Sequence, residues 1–194
     1  MKTQLLHPAD YRTTDWSGGS TTELFLYPPG ADYAARNFLF RISSATVNES
    51  PSDFTLLPGF ERYLMILGGE LSLKFDALAP VKLAAFDSVS FPGGIRTVSA
   101  GTGRDFNLMV AEGHGGSLLA IQPGETHALS GESSPDFVLL HAPLGAAELA
   151  IGGVHHTLGE GDSLLLSELP ARLQVTNKSE QPVICCSTTL KKTL

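Results

Sequence analysis

The chain has 194 residues, 42% hydrophobic and 17% charged, with 20 Gly, 12 Pro and a formal charge of −7. That length allows one large or two small domains, and the composition is that of an ordinary globular protein. An acidic surface whose longest basic run is Lys191-Lys192 repels phosphate backbones and anionic lipid, so neither nucleic acid nor membrane is an expected partner.

The N-terminal Met-Lys-Thr-Gln-Leu-Leu-His-Pro lacks the apolar core of a secretory signal, and no run approaches the roughly 18 apolar residues of a membrane-spanning helix. A cytoplasmic location is therefore expected. Residues 16–23, Trp-Ser-Gly-Gly-Ser-Thr-Thr-Glu, combine a flat indole with two glycines that let the backbone turn tightly. Thr21, Thr22 and Glu23 add polar contacts, so the segment is either a ligand contact or a lid in which Trp16 plugs a core. A Pro-Pro-Gly at 28–30 precedes a short helical turn at 32–36, the one helical signal. From residue 38 onward, Phe38, Phe40 and Ile42 alternate with Leu39, Arg41 and Ser43, which predicts a strand with one face on a core.

The next stretch contains a pattern that recurs later. Residues 64–75 run Leu-Met-Ile-Leu-Gly-Gly-Glu-Leu-Ser-Leu-Lys-Phe, and residues 86–94 run Phe-Asp-Ser-Val-Ser-Phe-Pro-Gly-Gly. The second copy runs Leu-Ala-Ile-Gly-Gly-Val at 149–154 and Gly-Asp-Ser-Leu-Leu-Leu at 161–166. Each copy reads as an apolar strand, a Gly-Gly turn, a second strand, and an Asp-Ser pair opening another strand. The Asp-Ser pair follows by 18 residues in the first copy (Gly69 to Asp87) and by 9 in the second (Gly153 to Asp162), so the second should lack about one short hairpin. Between the copies, Asp105 and Asn107 share one face of a strand and Phe106 and Leu108 the other. Breaks rich in Gly, Ser and charge fall at 113–116 and 130–135. The chain is thus expected to be all β, with a first unit at 1–112 and a second at 113–194 that exchange strands.

Metal-binding and nucleophilic signatures are missing. Glu125 and His127 follow a Pro-Gly turn, His155 and His156 are adjacent on a strand and diverge, and His7, His114 and His141 are isolated. Cys185 and Cys186 are neighbours whose side chains point apart, which suits free thiols in a reducing compartment. No serine stands on a Gly-flanked strand-to-helix turn.

The paired Gly-turn and Asp-strand patterns resemble the two motifs of a cupin barrel, and the chain as a whole resembles a bicupin. In a cupin, two His and a Glu precede the first glycine turn, and a Pro, a Gly and a His follow the Asp-led strand; the His and Glu bind a divalent metal. Here Glu61 stands seven residues before Gly68, at the cupin spacing, and Pro92 and Gly94 match. The histidine positions are taken by Thr55, Leu57 and Thr97, and the second copy offers no His in residues 167–172. One carboxylate cannot hold a transition metal against water, so no metal and no cofactor are expected.

A narrower resemblance rests on four segments in order: residues 16–23, Phe-Arg-Ile-Ser at 40–43, Leu-Pro-Gly-Phe-Glu-Arg at 57–62, and Arg-Asp-Phe-Asn-Leu-Met at 104–109. Together they resemble the HutD/Ves family of bicupins, in the RmlC-like cupin superfamily. The segment after Trp16 is shorter than in that family, Ser17 leading directly into Gly18. The resemblance implies tandem cupin-like barrels and a link to histidine utilisation, with a regulatory or small-molecule-binding role. The expected ligand shell is Trp16, Thr22, Glu23, Arg41, Glu61, Arg62, Asp105 and Asn107, backed by an apolar wall of Leu64, Ile66, Phe91 and Phe106. Arg62 is the expected anchor for a small carboxylate, because a guanidinium fork suits that group. Two alternatives stand beside this reading. One is a metal-independent isomerase or hydrolase acting on an amino-acid derivative with Glu61 or Asp105 as base; the other is a structural or stress-related protein with filled barrels. A homodimer is compatible with each.

Overall fold

The computed structural model describes residues 1–129 and 134–191. The expected break at 130–135 therefore lies largely outside the described residues, as does Lys192. Strands dominate, and the one helical element among the described residues is a 3-10 turn at Pro8–Asp10. The expected turn at 32–36 is present as a hydrogen-bonded turn over 33–36 that does not extend into a helix. Asp32 Oδ1 accepts from the Ala35 amide at 2.8 Å and the Tyr33 carbonyl from the Arg36 amide at 3.2 Å. A side-chain acceptor there competes with helix propagation.

The chain forms two compact units, residues 11–114 and residues 1–10 together with the chain from 115 onward. Strand β1 (Lys2–Leu6) belongs to the latter, whereas the expected boundary at 112/113 places it in the first unit. Within the 11–114 unit lie β2 (Arg12–Trp16), β3 (Gly19–Tyr27), β4 (Phe40–Val47), β5 (Ser52–Asp53), β6 (Phe60–Phe75), β7 (Val81–Leu83), β8 (Ser88–Pro92) and β9 (Thr97–Ala111). They build one sheet in the order β2-β3-β4-β9-β6-β7, with β5 paired to β9 and β8 to β6. Every pairing is antiparallel.

The Gly-Gly pair of this unit is not a turn. Gly68 and Gly69 lie inside β6, where the register against β9 shifts between Ile66 and Gly68. Gly69 has φ of 84°, and a side chain there would run into the Thr102 carbonyl of the facing strand. The pair is therefore a bulge that bends one long strand, glycine being the residue that tolerates both the dihedral and the close backbone.

The other unit contains β1, β10 (Gly115–Ile121), β11 (Thr126–Ala128), β12 (Phe137–His141), β13 (Ala147–Ile151), β14 (Val154–Leu158), β15 (Ser163–Ser167), β16 (Gln174–Asn177) and β17 (Val183–Thr189). A five-stranded sheet runs β1-β15-β12-β17-β10 and a four-stranded one β11-β16-β13-β14. Gly152 and Gly153, at φ of 55° and 86°, form the two-residue turn between β13 and β14, with Ile151 opposite Val154. Two consecutive positive φ values are what a tight hairpin turn requires. Nothing between β14 and β15 corresponds to β7, so the second copy lacks one short hairpin strand, as its spacing predicts.

Strand β1 pairs along its length with β15, from Lys2 opposite Ser167 to Leu6 opposite Ser163. Beyond the strand, His7 Nδ1 sits 2.9 Å from Asp162 Oδ1, and the 3-10 turn ends the segment. The core of this unit is an apolar cluster of Val138, Leu140, Leu149, Ile151, Leu164, Leu166 and Val175 among others, with Asp162 and Asn177 buried beside it and hydrogen-bonded to the backbone. Cys185 and Cys186 are both buried free thiols, and burial pushes the Cys185 thiol up to about 12. They belong to packing rather than to chemistry.

Candidate functional site

In the 11–114 unit the alternation along β4 and β9 decides where polar side chains go. Arg41, Ser43, Ala45 and Val47 project from one face of β4, while Phe40 and Ile42 project from the other. Strand β9 does the same with Asp105, Asn107 and Met109 against Phe106 and Leu108. Both faces are buried over residues 40–43 of β4 and 105–110 of β9, where the sequence pattern predicts burial on one. Ladder register aligns Ala45 with Asp105 and Ile66, Ser43 with Asn107 and Leu64, and Arg41 with Met109 and Arg62. Apolar and charged residues thus share one interior face. The part carrying Leu64, Ile66, Leu71, Leu73 and Phe91 packs solid, and the rest surrounds a cavity of about 350 Å³.

Trp16, Arg41, Arg62, Asp105 and Asn107 line this cavity together. Three expected site residues do not. Thr22 points to the outer side of the β2–β3 hairpin, where its hydroxyl lies 2.9 Å from that of Thr13. Glu61 alternates with Arg62 on β6 and so lies on the opposite face, where partial burial raises its pKa. Glu23 is held back from the lining by an ion pair, its Oε2 accepting from Arg41 Nε at 2.6 Å. The expected apolar wall is also displaced. Leu64, Ile66 and Phe91 are spent in the packed core and Phe106 faces away, so Ala45, Val47, Phe54 and Met109 supply the apolar lining.

Arg62 is the centre of the site. It is 6% exposed and its guanidinium carbon lies 4.7 Å from the Phe54 ring centroid and 5.5 Å from that of Phe91. Nη1 donates to the Thr55 carbonyl at 3.4 Å and Nη2 to Asn107 Oδ1 at 3.3 Å, both long bonds. Nε has no partner. No carboxylate among the described residues lies within ion-pair distance of Arg62. Burial lowers its pKa, an effect opposed by Tyr33 and Asp105 and reinforced by Arg41.

Asp105 is 1% exposed, and its Oδ1 accepts from Asn107 Nδ2 at 2.5 Å. Burial raises its pKa to about 7, against the opposing pull of Arg62, the Asn107 hydrogen bond and a backbone hydrogen bond from Ala45. Asn107 therefore links the two ions, its amide nitrogen toward Asp105 and its oxygen toward Arg62. Arg41 is better partnered. Besides Glu23 it reaches Ser43 Oγ at 3.3 Å and lies 4.2 Å over the Tyr33 ring.

Trp16 is more than a third exposed, which places it where the cavity meets solvent. Its Nε1 donates to Thr21 Oγ1 at 3.1 Å. The indole lies so close to Gly18 that a side chain at that position would collide with it. The two glycines therefore make room for the indole and for the Thr46 backbone. Thr21, expected as a polar contact of the 16–23 segment, lines the cavity, and so do Thr14, Tyr33, Ser43, Ser52, Asp53, Phe54 and Thr55, which lie outside the expected set. Parity alone gives Ser43 from Arg41 and Thr14 from Trp16; the irregular 48–57 segment carries no such signal.

Thr55, at one cupin-histidine position, lines the cavity through a threonine rather than a metal ligand. Leu57 sits in a core cluster with Phe38 and Met109, and buried Thr97 donates to the Ile95 carbonyl at 3.2 Å. Among the described residues no group of three or more His, Cys, Asp or Glu is arranged to hold a metal ion.

The HutD family model matches residues 8–183. A conserved protein of unknown function from Pseudomonas aeruginosa PAO1 superposes with a TM-score of 0.80 at 24% identity, covering 99% of this chain and 100% of that one. HutD from Pseudomonas fluorescens SBW25, in a formate condition, superposes at 0.79 with 21% identity, covering 98% and 100%. The Escherichia coli pirin YhhW in complex with nickel(II) follows at 0.66 with 10% identity, covering 98% and 100%. No curated protein sequence matches. With 176 consecutive positions matched by the family model and both units shared with HutD itself, this chain belongs to the HutD family.

Proposed function

We propose that this protein is a small-molecule-binding bicupin, acting without a metal, whose 11–114 unit takes a small carboxylate. The observation that carries this reading is Arg62: a buried guanidinium on a cavity wall whose Nε has no hydrogen-bond partner, and which has no paired carboxylate, among the described residues. Burying a cation without a counter-ion is costly, and an anion entering the cavity relieves that cost. The 350 Å³ volume suits a molecule of a few carbon atoms, with aromatic and aliphatic walls for its chain. The family's link to histidine utilisation makes an amino-acid breakdown product the favoured class and a regulatory role in such catabolism, in the cytoplasm, the favoured setting.

Calorimetric titration with formate, acetate and glutarate tests this on the parent chain and on Arg62→Ala. At least one carboxylate should bind the parent, its neutral amide should not, and Arg62→Ala should lose binding while the melting temperature stays within a few degrees. If Arg62→Ala mainly unfolds the protein and no carboxylate binds the parent, the structural reading wins.

The second reading, a metal-independent enzyme, is favoured by one observation: Asp105 is a cavity carboxyl with its pKa raised to about 7, in the range suited to a general base. Chemical change in a bound carboxylate, followed by NMR and abolished by Asp105→Asn, would establish it.

A further inference from the structure

The ionic groups around the cavity can be balanced one by one. Arg41 on β4 is neutralised by Glu23 on β3 at 2.6 Å. Asp53 on β5 is neutralised by Arg96, which precedes β9, at 3.1 Å. Tyr33, from the β3–β4 connection, contributes a phenol over which Arg41 lies. The lining from β2 and from the start of β3 is Thr14, Trp16 and Thr21, which carry no charge. What remains is Arg62 on β6 and Asp105 on β9, joined through Asn107 and not in direct ion contact.

With Asp105 ionised, that remainder sums to zero, and an entering anion would leave one uncompensated negative charge in a buried site. With Asp105 neutral, the remainder is a single cation, and the anion closes the balance. Low-dielectric surroundings make this difference large. Resting on the carboxylate reading above, we infer that Asp105 is a specificity-determining residue that enters the complex as the neutral acid, so that the cavity takes its anion together with one proton from solvent. As an acid it also becomes a hydrogen-bond donor in the cavity it lines, beside the Arg62 fork. The pair of a cation and a neutral acid selects a singly charged carboxyl head over a dianionic one such as phosphate.

The free protein carries Asp105 near half-ionised at about pH 7. An anion on Arg62 removes the attraction that favours the ionised carboxyl and adds repulsion, so the complex retains the proton to higher pH. Affinity should be level below pH 7 and fall about tenfold per pH unit above it, with uptake of one proton per anion.

Titration with formate, which stays ionised throughout, from pH 6 to pH 9 tests this. Calorimetry at pH 8 in two buffers of different ionisation enthalpy counts the protons. The parent chain should take up close to one proton and follow the stated slope. Asp105→Asn should bind at pH 8 as tightly as the parent does at pH 6, with no proton uptake. A flat profile with no uptake in the parent overturns the inference and leaves the carboxylate reading standing, as does Asp105→Asn retaining the slope. Failure of formate, acetate and glutarate to bind at pH 6 removes both. The proton count on the parent stands whether or not the variant folds.

Discussion

The two units carry the same Gly-Gly and Asp-Ser pattern, yet their interiors differ in kind. The unit built on β10–β17 gathers Val138, Leu140, Leu149, Leu164, Leu166 and other apolar residues into one buried cluster, and its buried Asp162 and Asn177 are tied to the backbone. The 11–114 unit places Arg41, Ser43, Arg62, Asp105 and Asn107 on its inner face and keeps a cavity. A filled interior gains from every apolar contact, whereas a buried arginine and a buried aspartate without direct pairing subtract from stability. One copy of the pattern has kept packing, and the other carries groups that packing does not explain.

The comparison breaks most sharply at the apolar cluster of the β10–β17 unit. Leu140 is fully buried there, and Leu140→Ala should cost about 2–5 kcal/mol in denaturant unfolding while leaving carboxylate affinity intact. In the 11–114 unit the expected effect of a buried change has the opposite sign. Asp105 keeps its proton in the folded state up to about pH 7, while the unfolded chain loses it near the ordinary 3.8. Stability should therefore fall between those pH values and level above them. Asp105→Asn should abolish that slope, raising stability at pH 8 by a few kcal/mol and leaving it little changed at pH 4; an Asn variant less stable at pH 8 would contradict this account.

Smaller effects separate the two arginines. Arg41→Ala strands the Glu23 carboxylate, three-quarters buried, and should cost about 1–3 kcal/mol. Arg62→Ala, with no carboxylate to strand, should cost less stability than Arg41→Ala and far more affinity. Thr22→Ala removes only an exposed hydroxyl contact and should shift stability within about 0.5 kcal/mol, with binding unchanged. Melting curves and titrations on the three variants rank them.

Much of this was legible beforehand because strand parity is a strong signal. Alternation put Arg41 with Ser43 and Asp105 with Asn107 on shared faces, and the register brings those faces onto one cavity. Parity fails where its frame is unknown. Thr21 and Thr22 are equally polar in sequence, and only the pairing of β2 with β3 decides which faces inward. Leu64 and Ile66 share a face with Arg62, yet whether an apolar residue lines a cavity or fills a core depends on partners such as Leu73 and Phe75, which sequence does not assign. The Gly-Gly pairs look identical in the chain, and the facing strand makes one a bulge and the other a turn. Pairing between β1 and β15 spans more than 150 residues, and no local pattern reports it.

That last pairing makes the cavity-bearing unit an insertion in the other, spliced between the first strand of a sheet and the rest of it. Residues 11–114 are continuous and contain their own sheet, so they are the natural piece to express alone. The remaining sheet closes only when strands from opposite ends of the chain meet, a long loop whose closure slows folding. Removing residues 1–10 would uncover the hydrogen-bonding edge of β15, with Leu164, Leu165 and Leu166 on it, and an open apolar edge recruits other chains. Residues 1–10 thus act as a guard on the β15 edge, and deleting them should cause aggregation before it alters the cavity.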